Sequence, residues 1–453
     1  VPITSRFTAR SGCFHLSSLS LLIAAASLAS GCGDGGSKPP AVFLDGGNGE
    51  DSGVDAAAPV DAAIDADNTS FILRGPCVAG DTDVHTFVPR DAIPQPAPSL
   101  VGNGLNFDLT FAEQSGCVDS IVVQRMASRA SAPATRLAID ECASVRNAIS
   151  VPVDSSWLVA WLDSRNGGFQ VFTTLMTTTP PAQPVIRVPR TSSPAVKGSL
   201  ALVTLSTPDQ ALLVWSESDG AGANGKIVGM RLSTTDGEPI ANPFTILEDS
   251  GQVYGSLALA PIPTGGAVLG YVAGSGEVRS IFLQRLDVSG APTGEPALLS
   301  ADGDEYATVS VAMKNETTDR GAAVYSVNPA GTRPGIRYVV LDDVGQPAGQ
   351  PRTLSGPLEH ANAIGITTSL SGFVIGYRAI TDINWDFARI RVAFLSDVGN
   401  QAGDGVVDVA PASDFGGAPT VAMALDGRVA VSWYDDDEFG NRTLKLVSYP
   451  CNR

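Results

Sequence analysis

The sequence predicts an all-β fold: a seven-bladed β-propeller of four-stranded antiparallel blades, closed into a ring between its N- and C-terminal strands. Three observations predict it. First, a short apolar run ending in an aromatic recurs at Phe111, Trp161, Trp215, Tyr271, Tyr325, Tyr377 and Trp433, at intervals of 50, 54, 56, 54, 52 and 56 residues. Second, each copy is flanked at similar offsets by further runs rich in β-branched and aromatic residues, bounded by Gly, Pro and Asp. Third, only one more strand fits between Trp433 and Arg453, so the seventh unit needs its fourth strand from the N-terminal side.

Within a unit the first strand precedes the aromatic, as in residues 199–203, 307–311 and 419–423. The second strand carries the aromatic itself, and small residues such as Gly270 and Gly376 suit a sheet packed on both faces. The third follows, as in 227–232, 281–286, 336–341 and 390–395, and a Gly/Pro turn then leads to a short fourth run such as 296–300. A lone sheet of this size cannot cover both its faces, whereas radial stacking does. Tandem immunoglobulin-like domains need about 100 residues each, nearly twice this period. The seven aromatics are expected to fill the wedges between blades, not to form a sugar platform. Residues 84–88, or the nearby 71–73, are the available closing strand, and closure removes unpaired edges.

The 453 residues, 43% apolar and 17% charged, suffice for a full core. With +2 on residues 1–31 and −7 on residues 32–70, −13 of the net −18 falls on residues 71–453. That balance argues against nucleic acid or an anionic membrane surface as a direct partner.

Residues 1–31 hold Arg6, Arg10 and no acid, then an apolar stretch and small residues before Cys32. This is the charge order of a secretory signal. Leu28-Ala29-Ser30-Gly31-Cys32 resembles the lipobox of bacterial lipoproteins, although a larger aliphatic is commoner where Ala29 stands. The resemblance implies that Cys32 is lipidated, palmitate included, and ties the chain to a lipid bilayer. Residues 32–70, built of Gly, Ala, Asp and Pro, read as a flexible acidic tether. They resemble the tethers of myxobacterial-type lipoproteins, which implies an exported, lipid-anchored location at the outer membrane or cell surface of a Gram-negative bacterium. Residues 71–453 are then the propeller.

Cys77, Cys117, Cys142 and Cys451 remain, an even count that suggests disulfides in an exported chain. Of the three possible pairings, a propeller favours Cys77–Cys451 across the closure and Cys117–Cys142 in the first blade. The spacings contain no C-x-x-C pair, so no thiolate metal site is expected.

Catalytic signatures are absent: no H-E-x-x-H, G-x-S-x-G, P-loop or G-x-G-x-x-G after a strand. His85 and His360 are the only histidines beyond the first segment, and no motif marks a partner for either. Acidic clusters at 302–305 and 435–438 fall in inter-strand loops, and neither alternates its oxygens as a calcium loop does. Residues 414–419 bear a faint likeness to the signature of integrin-type propellers. The repeated turn of sialidase-like propellers and the Trp-docking repeat of quinoprotein propellers are missing.

The expectation is therefore a non-catalytic, monomeric envelope lipoprotein without cofactor or metal, presenting a propeller to a protein, peptide or polysaccharide. Two alternatives stand beside it. One is an extracellular glycan hydrolase or lyase using carboxylates or tyrosines at the channel mouth. The other is a structural coat lipoprotein.

Overall fold

The computed structural model describes residues 84–87 and, apart from short internal segments, residues 97–449. The described chain is β throughout. Strand β1 (Val84–Phe87) precedes the blades. Blade I comprises β2 (Ser99–Asn103), β3 (Asn106–Ser115), β4 (Val118–Met126) and β5 (Thr135–Ile139). Blade II comprises β6 (Val145–Val153), β7 (Ser156–Asp163), β8 (Gln170–Thr177) and β9 (Ile186–Arg187). Blade III is β10 (Val196–Thr204), β11 (Gln210–Ser218), β12 (Asn224–Ser233) and β13 (Phe244–Ser250). Blade IV is β14 (Val253–Pro261), β15 (Ala267–Ser275), β16 (Val278–Leu286) and β17 (Pro292–Gly303). Blade V contains β18 (Val309–Met313), β19 (Gly321–Val327), β20 (Gly335–Leu341) and β21 (Arg352–Thr353). Blade VI contains β22 (His360–Ser369), β23 (Gly372–Ile380), β24 (Ala388–Ser396) and β25 (Gln401–Ala412). Blade VII is β26 (Thr420–Met423), β27 (Val429–Asp436) and β28 (Arg442–Tyr449), with β1 as its fourth strand.

Each sheet is an antiparallel meander in chain order, except that blade VII runs β26-β27-β28-β1. The first strands touch one another all the way round: β2, β6, β10, β14, β18, β22, β26 and back to β2. This makes a closed seven-bladed β-propeller. Closure is by backbone pairing, with Val84 opposite Val447 and Phe87 opposite Leu444.

Apolar side chains alternate between the two faces of each second strand, and each face meets a different neighbour. In β11, Trp215 joins Leu158 and Leu162 of blade II, whereas Val214 joins Leu269 and Tyr271 of blade IV. Trp161 packs with Ile121 and Val123 of blade I, and Trp433 with Val374 and Val392 of blade VI. Phe111 completes the circle against Ala430 and Tyr434 of blade VII. The repeated aromatic therefore fills the space toward the preceding blade.

The turn between third and fourth strands docks on the preceding blade too. Gly345, at φ 82°, sits so close to blade IV that a Cβ would lie 2.1 Å from Val268 Cγ2. Gly290 and Gly399 approach blades III and V in the same way. Gly345→Ala is expected to destabilise by about 2–4 kcal/mol, combining left-handed backbone strain with overpacking. Gly349→Ala, where nothing lies within 4 Å, is the matched control. Thermal denaturation of the two variants checks this.

The disulfide expectation is corrected here. Cys77, Cys117, Cys142 and Cys451 all lie outside the described residues, and no disulfide occurs among the described ones. Among the described residues the ring is closed by the backbone ladder between β1 and β28. In blade I, β4 and β5 are joined by pairs such as Ile121 with Leu137. Cys32 and the segments 1–31 and 32–70 also lie outside the described residues.

Candidate functional site

The second strands position the first group of chemically capable side chains. Residues two apart share a face of a strand. The position two after the aromatic is acidic in blades VII, I, II and III: Asp435, Glu113, Asp163 and Glu217. Blades IV, V and VI have Ala273, Val327 and Ala379 there. In blade III the Trp215 indole donates to Glu217 Oε1 at 2.8 Å, and Lys226 Nζ lies 3.7 Å from Oε2. In blade II Trp161 Nε1 donates to Asp163 Oδ2 at 3.4 Å. Glu113 accepts from Arg136 Nε at 2.9 Å, and Asp435 accepts from Lys445 Nζ. In blade VII Trp433 Nε1 is buried with no hydrogen-bond partner among the described residues. The signal for this group was the recurring Trp-x-acid in the repeats, which reading the aromatics alone passes over.

A second group lies at the opposite end of blade I. Asp108 is fully buried and accepts from Asn103 Nδ2 at 2.7 Å, Trp157 Nε1 at 2.7 Å, and Arg125 Nε and Nη2 at 2.8 and 3.0 Å. The Arg125 guanidinium also sits 4.8 Å from the centre of the Trp157 ring. Its hydrogen bond to Asp108 raises the Arg125 pKa, against the opposing effect of burial. Since Trp157 belongs to blade II, this cluster cross-links two blades.

At the hub, bulges interrupt the first strands of blades II, III, IV and VI near their beginnings. Asn147, at φ 52°, lies in one and donates through Nδ2 to Gly198 O of blade III at 2.7 Å. Ser99 Oγ accepts from Ser150 N at 3.3 Å, and Ser256 Oγ from Val309 N at 3.0 Å. Polar side chains at the hub thus zip neighbouring blades together.

Two tyrosines are strongly perturbed. Burial raises the phenols of Tyr271 and Tyr434 well above their ordinary value; Arg442 pulls Tyr434 back only in part. The Tyr434 hydroxyl is buried without a hydrogen-bond partner among the described residues. The folded state therefore holds phenolic protons that the unfolded chain releases near pH 10. This stabilisation is complete below about pH 10 and is lost as pH rises beyond it toward the folded-state pKa. Tyr434→Phe is expected to flatten the alkaline loss and to raise stability at pH 7 by about 1 kcal/mol, removing an unsatisfied hydroxyl. Melting curves at pH 7–11 test both.

The third feature is an open groove of about 650 Å³ along the third strand and the third-to-fourth-strand turn of blade V, bordered by Val398 of blade VI. Arg320, Tyr338, Asp343, Gln350, Arg352 and Val398 contribute to its lining. Gly399 O accepts both Tyr338 OH at 2.7 Å and Arg352 Nη1 at 3.0 Å, fixing one wall.

The sequence-predicted residues are distributed as follows. The seven aromatics occupy the second strands β3, β7, β11, β15, β19, β23 and β27 and are buried, leaving no exposed stacking platform among them. His85 lies in β1 and His360 begins β22. Asp304, Glu305, Asp437, Glu438 and residues 414–417 lie outside the described residues. Among the described residues no group of three or more His, Cys, Asp or Glu could hold a metal ion, and no helix is long and apolar enough to cross a membrane.

No family model and no curated protein matches the chain. The lipoprotein expectation finds no support here: no model of a lipoprotein signal or anchor matches residues 1–70. Solved structures do resemble it, several of them carbohydrate-active enzymes. Polysaccharide lyase Uly1 is 8% identical, with 78% of this chain and 90% of that one covered and a TM-score of 0.48. An α-L-arabinanase from Penicillium chrysogenum is 9% identical over 72% of this chain and 97% of that one, at 0.47. A protein of unknown function from Dyadobacter fermentans is 12% identical over 81% and 99%, at 0.44.

Proposed function

We propose that this propeller is a non-catalytic binding scaffold, a rigid monomeric disc that presents its inter-strand turns to a protein, a peptide or a polysaccharide. One observation carries the reading. The carboxylates that the described blades direct inward are spent on structural donors: Asp108 on Asn103, Arg125 and Trp157, Asp163 on Trp161, and Glu217 on Trp215. General acid–base work needs a carboxylate whose proton can exchange with substrate at hydrogen-bond range. Groups already engaged by indole and guanidinium donors serve cohesion instead.

A second reading, a glycan hydrolase or lyase, is favoured by the arc of acids at one equivalent position on blades VII, I, II and III. The two readings separate in one experiment. The purified chain is incubated with neutral and acidic polysaccharides, following reducing ends, unsaturated products and retention of polymer. Product release by the native chain that Asp163→Asn or Glu217→Gln abolishes would replace the scaffold reading with the enzymatic one. No product release is the expected result.

A further inference from the structure

We propose that the seam between blades III and IV, where β13 passes into β14, binds a cationic side chain of a peptide, a lysine or an arginine. The inference gives the scaffold reading one site and one ligand class, and it rests on that reading. Only Gly251 and Gln252 separate β13 from β14, so the acids Glu248 and Asp249 lie close in the chain to Tyr254. Register sets their direction. Asp249 stands opposite Gly225, and directly opposite residues share a face of the sheet. Tyr254 covers that face, since a Cβ on Gly225 would fall 3.0 Å from Tyr254 Cδ2. Asp249 therefore projects from blade III on the side where the Tyr254 ring of blade IV lies.

Tyr254 leads into an aromatic ladder. It meets Tyr271 edge-on at 5.9 Å, and Tyr271 stacks at 5.3 Å on Phe282, its partner across β15 and β16. Tyr271 is 4% exposed, yet its hydroxyl makes no hydrogen bond with any described residue. The groups act on one another electrostatically: after burial, Asp249 and Glu248 raise the Tyr254 pKa, and Tyr254 raises that of Tyr271. Both carboxylates are exposed, and neither forms an ion pair with a described residue. Cations of the same region are committed elsewhere. Lys226, opposite Glu248, lies 3.7 Å from Glu217 Oε2, and Arg279 Nη1 donates to Val253 O at 3.3 Å. The seam thus collects two carboxylates, two phenols and aromatic faces, with no positive charge of its own to answer them. A cation borne on an apolar stem fits both the rings and the acids. A neutral sugar could use the rings and would leave the two like charges uncompensated.

The test titrates the full chain, by saturation-transfer NMR, with end-capped glycyl-arginyl-glycine and glycyl-lysyl-glycine, the neutral citrulline counterpart, and maltotriose. The cationic peptides are expected to bind about tenfold more tightly than the citrulline peptide. Glu248→Gln/Asp249→Asn should erase that preference. Tyr271→Phe, which keeps the ring and removes the hydroxyl, should weaken the cationic peptides about threefold. Asp343→Asn removes an exposed acid from a turn of blade V and should leave affinity unchanged, which separates the site from the net charge of the chain. Both substituted acids of the seam are exposed, and unchanged melting temperatures would verify that the variants fold. Equal affinity for arginine and citrulline, a preference that survives the double substitution, or an equal loss in Asp343→Asn would overturn the proposal. Maltotriose binding more tightly than either cationic peptide, and losing affinity in Asp249→Asn, would also overturn it, assigning the seam to sugars. Failure here alongside binding of another partner elsewhere on the disc sinks only this site, whereas glycan turnover sinks the scaffold reading.

Discussion

Asp108→Ala is expected to destabilise the propeller by about 3–5 kcal/mol, the cost of leaving a buried charge network without its acceptor. The substitution leaves the partly exposed Arg125 and the buried Trp157 indole without the oxygen atoms they share. Since Asn103 and Arg125 come from blade I and Trp157 from blade II, the damage falls on the contact between blades. Asp108→Asn should cost less, because one carbonyl oxygen still accepts while the ionic attraction is lost. Replacing Asp108 and Arg125 together by apolar residues of similar volume should recover much of the loss, since the desolvated charge goes with its partner. Urea unfolding of these variants decides the matter. A change under 1 kcal/mol in Asp108→Ala would show that the cluster does not hold the two blades together.

The architecture was legible because its cause is local and repeated. A blade must hide both faces, so its second strand is apolar along its length and ends in an aromatic, and seven copies leave a period near 54 residues. The missing fourth strand of the last unit was legible for the same reason, and β1 supplies it. Contacts between repeats leave no such trace. Asp108 and Trp157 are 49 positions apart, and nothing in either neighbourhood announces that a carboxylate in one blade meets an indole in the next. The bulges at Asn147 and Ser256 are equally silent, since each depends on a hydrogen bond to the following blade. Trp161-Leu162-Asp163 and Trp215-Ser216-Glu217 are a different case. The pattern was present, and aligning the repeats by their acids as well as their aromatics would have exposed it. Cysteine parity counts thiols without locating them, and Cys77, Cys117, Cys142 and Cys451 all lie outside the described residues.

Ring closure by β1 leads to the other large effect. His85→Pro/Thr86→Pro in the full chain is expected to open the ring. N–H groups of adjacent strand residues point to opposite sides, so one of these two must face β28, where His85 lies opposite Leu446 and Thr86 opposite Lys445. Proline at both positions removes that donor whichever residue supplies it, and an interior strand position does not tolerate the ring. Four paired residues at about 0.5–1.5 kcal/mol per hydrogen bond place the loss on the order of 2–6 kcal/mol. The consequence exceeds the energy, because β28 then becomes an exposed edge flanked by apolar residues, which recruits other chains. Light scattering should show association of the variant at concentrations where the native chain is monomeric, and a synthetic peptide spanning residues 82–90 should suppress it in trans. His85→Ala/Thr86→Ala, which keeps every backbone N–H of β1, is the control and should leave both melting and scattering close to those of the native chain. If the two variants behave alike, β1 is not what joins the last blade to the first, and the blades must hold their circle through the faces they share.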